Sequence, residues 1–339
     1  MARRAVRARR DMAGAARAAR TGGYVMRNDD RSRCLLDLVR RDRPRWLQHG
    51  RAIGRREVSQ AQESVGATGI AEDELVALTR RLSPDLPPAA LSPGEVDTLE
   101  AIVHTELRPA LLVQDGTFLP PPEEWRHLEA HRAGIDHAIA RTCRIETEGA
   151  IALDWVGTGF VVAPDLVATN RHVVQEFASH EPGRGWRIHE GIAVRADFRQ
   201  EIGSTAVADV PVAGIWGVHD RFDIAILQMR PGLCPSPIPT GLSNLTAARD
   251  VVVIGYPAYD SRRNDAAVMD RIFRGIYNVK RVQPGRIMLR DTVNYLLRHD
   301  SSTLGGNSGS PVIDVRSGRL VGIHFRGQYL RWNDAVDVS

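Results

Sequence analysis

Between Asp300 and Val312 the chain reads Asp-Ser-Ser-Thr-Leu-Gly-Gly-Asn-Ser-Gly-Ser-Pro-Val, so that Gly305, Gly306 and Gly309 crowd the hydroxyl of Ser308. Glycine adopts backbone conformations closed to other residues and lets a second molecule approach the main chain. A serine held in such a turn can face a substrate while backbone N–H groups converge beside it. Acyl transfer needs that arrangement: a nucleophile next to donors aimed at the developing oxyanion. Taken alone, the stretch reads equally well as a surface turn between strands.

Two upstream stretches weigh against the surface turn. Gly157-Thr-Gly-Phe-Val-Val-Ala-Pro-Asp-Leu-Val-Ala-Thr-Asn-Arg-His-Val-Val174 places two short apolar strands ahead of His172. In Phe222-Asp-Ile-Ala-Ile-Leu227, Asp223 opens an apolar strand after a polar turn. A carboxylate against such a strand needs a partner, and an imidazole N–H is a suitable one. Asp220, in the preceding turn, is the weaker candidate.

The chain order is therefore His172, Asp223, Ser308, and triads on unrelated folds differ in that order. The nucleophile elbow G-x-S-x-G fails, because Ser310 stands where its last glycine belongs. On these three segments the chain resembles bacterial trypsin-like serine peptidases of the chymotrypsin superfamily, similar to the glutamyl endopeptidase and HtrA-type branches. The resemblance covers roughly residues 140–339. It implies a double β-barrel with the active site in the cleft, His172 and Asp223 coming from the first barrel and Ser308 from the second. It also implies an oxyanion hole from the N–H groups of Gly306 and Ser308. Mammalian relatives carry an aspartate before the nucleophile that pairs with a new N-terminal ammonium. Asn307 stands here, and a neutral amide cannot make that pair.

Specificity follows by the same carry-over. Ser302 falls at the base of the primary pocket, Thr303 on its wall, and His324 at the pocket histidine of glutamyl endopeptidases. A hydroxyl and an imidazole can together hold a carboxylate, so Glu or Asp at P1 is expected. His324 as a packed strand residue, with small apolar P1 side chains preferred, remains the alternative. Arg326 either assists an acidic substrate or points to solvent. Phe325, Arg326 and Gly327 form the edge expected to pair with the substrate backbone, and Trp332–Val336 the closing strand.

The fold class expected is mostly β, two antiparallel six-stranded β-barrels behind a small α-helical N-terminal region. Short apolar runs at Trp155–Val162, Leu166–Thr169, Gly191–Val194, Asp223–Leu227, Val251–Ile254, Arg286–Leu289, Ser310–Val315 and Leu320–Phe325, separated by Gly/Pro turns, support it. We divide the chain into an Arg-rich disordered arm (1–54), a helical accessory module (55–115), a Pro-rich connector and helix (116–142) and the peptidase domain (143–339). The module rests on the capping box Ser92-Pro-Gly-Glu95 followed by Val96, Leu99, Ile102 and Val103 at helical spacing. A further helix is expected over Glu123–Arg141. It carries His127 and His131 four apart, but the pattern is not H-E-x-x-H and a third ligand is missing, so a solvated face is the better reading.

The first 60 residues hold 17 Arg and 6 acidic residues, a net of +11, against +4 for the whole chain. A basic arm can bind nucleic acid. However, Lys280 is the one lysine among 45 basic residues, so arginine enrichment reflects composition throughout. Nucleic acid is not an expected partner; a protein partner for the helical region is conceivable. No apolar run approaches the ~18 residues of a membrane span. Cys34, Cys143 and Cys234 share no metal spacing and read as free thiols, pointing to a cytoplasmic protein without metal or cofactor. Beside a peptide-cleaving enzyme, two other readings stay open: a silent peptide-binding barrel and a nucleic-acid-associated factor.

Overall fold

Two closed rings of antiparallel strands dominate the computed structural model, which describes residues 28–41, 108–149, 153–241, 245, 249–259, 269–270, 273–328 and 332–339. The first barrel comprises β3 (Thr142–Glu148), β4 (Trp155–Ala163), β5 (Leu166–Thr169), β8 (Ala193–Asp197), β9 (Asp209–Val218) and β10 (Ala225–Met229), closing in the order β10-β5-β4-β3-β8-β9. A small hairpin, β6 (Ala178–Glu181) with β7 (Gly185–Ile188), is inserted before β8. The second barrel runs β11-β14-β15-β16-β13-β12 and closes through β11–β12. Its strands are β11 (Asp250–Gly255), β12 (Arg281–Asp291), β13 (Leu296–His299), β14 (Pro311–Asp314), β15 (Leu320–Gln328) and β16 (Trp332–Asp337).

Each ring follows from its side chains. β10 alternates buried and half-buried positions, with Ala225, Leu227 and Met229 inward, the period of a strand covered on one face. In β11, Val251 to Ile254 are all fully buried, because the second barrel and the N-terminal helices cover both its faces. β-branched residues suit that pleated, enclosed setting.

The N-terminal side differs from the sequence reading. Asn28–Arg41, inside the expected disordered arm, is an α-helix, α1, burying Leu35 and Leu36. The expected helical module and its capping box at Ser92–Glu95 lie outside the described residues. Its last residues are not helical: Leu111–Gln114 form β1, which pairs with β2 (Thr117–Phe118) and with β12. Leu111 and Val113 face a core and drive the strand. The helix over Glu123–Arg141 is a 3-10 helix, Glu123–His131, followed by α2, Arg132–Ile139. His127 pairs with Asp250 at 3.0 Å rather than with His131.

Lys280 ties these parts together. It is fully buried, donating to the carbonyls of Ile139 in α2 (3.0 Å) and Phe198 beyond β8 (2.7 Å), with Glu201 3.6 Å away. Burial lowers its ammonium to about 8, although Glu201 favours the charged form. Among the described residues, no helix is long and apolar enough to cross a membrane.

Candidate active site

The β5–β10 register brings a histidine and a carboxylate together. Ala225 lies opposite Thr169, so the turn before β10 meets the short helix α3 (Arg171–Val174) that follows β5. Asp223 sits in that turn, two residues before the strand it was expected to open. His172 Nδ1 lies 2.6 Å from Asp223 Oδ2, and the backbone N–H of His172 donates to Oδ1 at 3.0 Å. Asn170 Nδ2 adds a bond to the carbonyl of Asp223 at 2.8 Å. An ionised carboxylate only accepts, so Nδ1 carries the proton and Nε2 is the basic nitrogen. Desolvation raises the Asp223 carboxyl, but the hydrogen bonds and charge of His172 outweigh it and hold the carboxyl below its ordinary value. Asp220 offers only its backbone carbonyl, to Arg171 at 2.9 Å.

The Ser308 turn needs its glycines. Gly306 and Gly309 have φ of +86° and +87°. A Cβ at Gly309 would stand 2.1 Å from the carbonyl oxygen of Thr158, and one at Gly306 would strike the Trp155 ring and the Tyr256 carbonyl, each 2.3 Å away. Thr158 in β4 donates its N–H to the Ser308 carbonyl (2.9 Å) and its hydroxyl to the Gly306 carbonyl (2.8 Å). Thr169 at the end of β5 donates to the carbonyl of Thr158 at 2.8 Å. On the other side, Gly309 N–H bonds the His324 carbonyl and His324 N–H the Ser310 carbonyl, each at 2.9 Å. Asn307, fully buried, bonds Gln283 and the Leu304 carbonyl. Among the described residues, the N–H groups of Gly306 and Ser308 donate to nothing, and no hydrogen bond joins Ser308 to His172. Catalytic contacts of this kind are often long without substrate.

The expected pocket residues gather around two residues that the sequence reading missed. Thr303 Oγ1 donates to Asn333 Oδ1 at 2.5 Å, and Asn333 Nδ2 bonds the Ser301 carbonyl at 2.7 Å. His324 Nδ1 lies 3.3 Å from His299 Nε2, both rings buried. Desolvation, then the charges of His299 and His172, push His324 well below its usual range, while Asp334 acts the other way. Burial takes His299 down to about 3. Ser302 is buried. Arg326 does not simply point to solvent: it pairs with buried Asp334 at 2.9 Å, which Arg298 also binds at 2.8 Å. β14 pairs with β15 only as far as Ile323, leaving the Phe325–Gly327 edge on that side open. His299 and Asn333 sit opposite each other on β13 and β16, a juxtaposition that a linear motif does not carry.

For a metal, the described residues offer one acidic group, Glu146, Asp197 and Asp209. Arg195 already bonds Glu146 at 2.8 Å and Asp209 at 3.1 Å, and Arg144 also pairs with Glu146. These cations occupy the charge that a metal would use.

The profile of the trypsin-like peptidase domain matches residues 157–323, which hold His172, Asp223 and Ser308. Among curated proteins, the glutamyl endopeptidase of Staphylococcus epidermidis is 27% identical over 197 residues, 54% of this chain and 58% of its own length. That of Staphylococcus aureus (strain MW2) is 26% identical over 248 residues, 67% of this chain and 66% of its own. The chain thus spans less than two thirds of the first of these relatives. A solved structure, the serine endoprotease from Yersinia pestis, is 20% identical, covers 60% of this chain and 61% of its own, and superimposes with a TM-score of 0.41. Residues 157–323, just under half of the chain, thus match the trypsin-like peptidase domain family.

Proposed function

We propose that this chain is a serine endopeptidase in which Ser308 is the nucleophile, His172 the general base and Asp223 its orienting carboxylate. The observation that carries the reading is the two-point His172–Asp223 contact, which fixes the imidazole with Nε2 as its basic nitrogen. Nε2 takes the Ser308 proton as Oγ attacks the scissile carbonyl, then gives it to the leaving amine. The N–H groups of Gly306 and Ser308 receive the oxyanion. Water, deprotonated by the same nitrogen, then attacks the acyl carbon; the C–Oγ bond breaks, and Nε2 returns the proton to Ser308 Oγ as the acid product leaves.

For the substrate we infer a peptide or protein with Glu or Asp at P1, its backbone added to the Phe325–Gly327 edge. His324 is held neutral, so it would act as a hydrogen-bond donor to the P1 carboxylate, with Thr303 turning from Asn333 to join it. The missing Ser308–His172 bond favours a second reading, a barrel that binds peptides without cleaving them.

Reaction with a fluorophosphonate, followed by intact mass, separates the two. Adduct on the wild type and none on Ser308→Ala or His172→Ala is the result expected of the enzyme. Profiling with Glu, Asp and Ala at P1 follows. A folded wild type that takes up no probe, yet binds peptides, would establish the silent barrel instead.

A further inference from the structure

The segment that precedes the matched domain reaches into the framework of the candidate site. Arg108 Nη2 lies 2.5 Å from Asp300 Oδ2, with the two side chains only 5% and 9% exposed. The second oxygen of Asp300 accepts the backbone N–H of Arg286, in β12, at 2.6 Å. Ala110 packs in an apolar cluster with Met269, Phe273 and Leu304, and its carbonyl accepts from the buried Arg281. The chain then enters β1, where Leu111 pairs with Val282 of β12. The stretch 300–304, which contains Ser302 and Thr303 and runs straight into Gly306 and Ser308, is thus held at both ends by residues 108–111.

An enclosed guanidinium–carboxylate pair loses two hydration shells and is favourable only with well-fixed geometry. Apolar packing, as in the cluster that holds Ala110 and Leu304, supplies adhesion without direction. The ion pair supplies direction, because Asp300 must face Arg108 and β12 together. Asn307, later in the same segment, is tied by neutral amide bonds to Gln283 and Leu304.

We propose that Arg108 is a positioning residue for the active site: through Asp300 it sets the 300–308 segment, so that the pocket wall and the oxyanion donors are aligned only while residues 108–111 are docked. The effect on activity rests on the peptidase reading of Ser308; the positioning itself does not.

The test compares full-length wild type, Arg108→Ala, Arg108→Lys and Asp300→Asn. Asp300→Asn keeps an acceptor for Arg286 N–H and serves if Arg108→Ala fails to fold. Fluorophosphonate labelling rate, kcat and KM on a peptide substrate, and hydrogen exchange across 300–310 are measured well below each variant's melting temperature. Misplacing reacting groups by about 1 Å can cost roughly 100-fold in rate, the scale of loss expected for Arg108→Ala. Exchange should quicken in 300–310 and not in the first barrel. Arg108→Lys should recover part of the rate, and added methylguanidinium part of that lost in Arg108→Ala. A wild type inert to the probe, with exchange in 300–310 still quickened by the substitution, would remove the peptidase reading and leave the positioning in place. Folded variants with wild-type labelling and exchange, or merely a lower melting temperature, would overturn the proposal.

Discussion

Asp223 holds His172 at two points, the ring nitrogen Nδ1 at 2.6 Å and the backbone N–H at 3.0 Å. One bond selects the tautomer and the other fixes where α3 begins, so the imidazole is oriented by the fold itself. Asp223→Asn keeps the shape but lets the amide favour the wrong tautomer. kcat should fall by about 10⁴, as steady-state assays would show, with little change in KM.

The same carboxylate carries an acid-stability signature. Its folded pKa is depressed, so its contribution is present above the ordinary carboxyl value and is lost as pH falls through the folded one. Urea unfolding of wild type and Asp223→Asn should therefore converge in strong acid and separate near neutrality.

His299 and His324 act in the opposite direction. Both are held neutral by burial, so below the ordinary histidine value the unfolded chain binds protons that the folded chain refuses. Stability should decline from near pH 6.5 downward, by about 1.4 kcal/mol per pH unit for each histidine. His299→Gln should flatten that slope by one proton's worth in urea titrations at successive pH values.

Lys280→Met leaves Glu201, whose side chain is 1% exposed, without its ammonium. Breaking an enclosed pair from one side typically destabilises by about 3–5 kcal/mol. Chemical denaturation should show a loss of that order, and Lys280→Met combined with Glu201→Leu a smaller one.

Glycine substitutions divide sharply. Gly309→Ala meets the Thr158 carbonyl and a positive φ, whereas a Cβ at Gly305 has nothing within 4 Å. Backbone strain of this sort costs about 1–3 kcal/mol. Thermal melts should show the loss for Gly309→Ala and almost none for Gly305→Ala.

The barrels and the His172–Asp223 contact were legible because each depends on short-range pattern: β-branched runs, glycine turns, and a carboxylate beside an apolar strand. β9 was missed because Gly214 and Gly217 interrupt its alternation and Trp216 faces solvent. β1, past Pro109 at the end of the expected helical module, was not read as a strand because four residues are too few to show a period; its partner, β12, lies far along the chain. Arg108–Asp300 and His299–His324 were invisible for the same reason, since neither pair shares a motif. Asn333 looked like part of a closing strand, and only the pairing of β16 with β13 and β15 aims it at Thr303.

Thr158 is a common datum for two halves that must register to a fraction of an ångström. It touches the Ser308 turn through two bonds and, through Thr169, the strand leading to His172. A relative slide of the barrels would break the two bonds from Thr158 to the Ser308 turn together, while the Thr169 bond stays within the first barrel, so alignment is kept or lost as a unit. The transition that undocks the halves should be the one that ends reactivity, with no partly aligned plateau between.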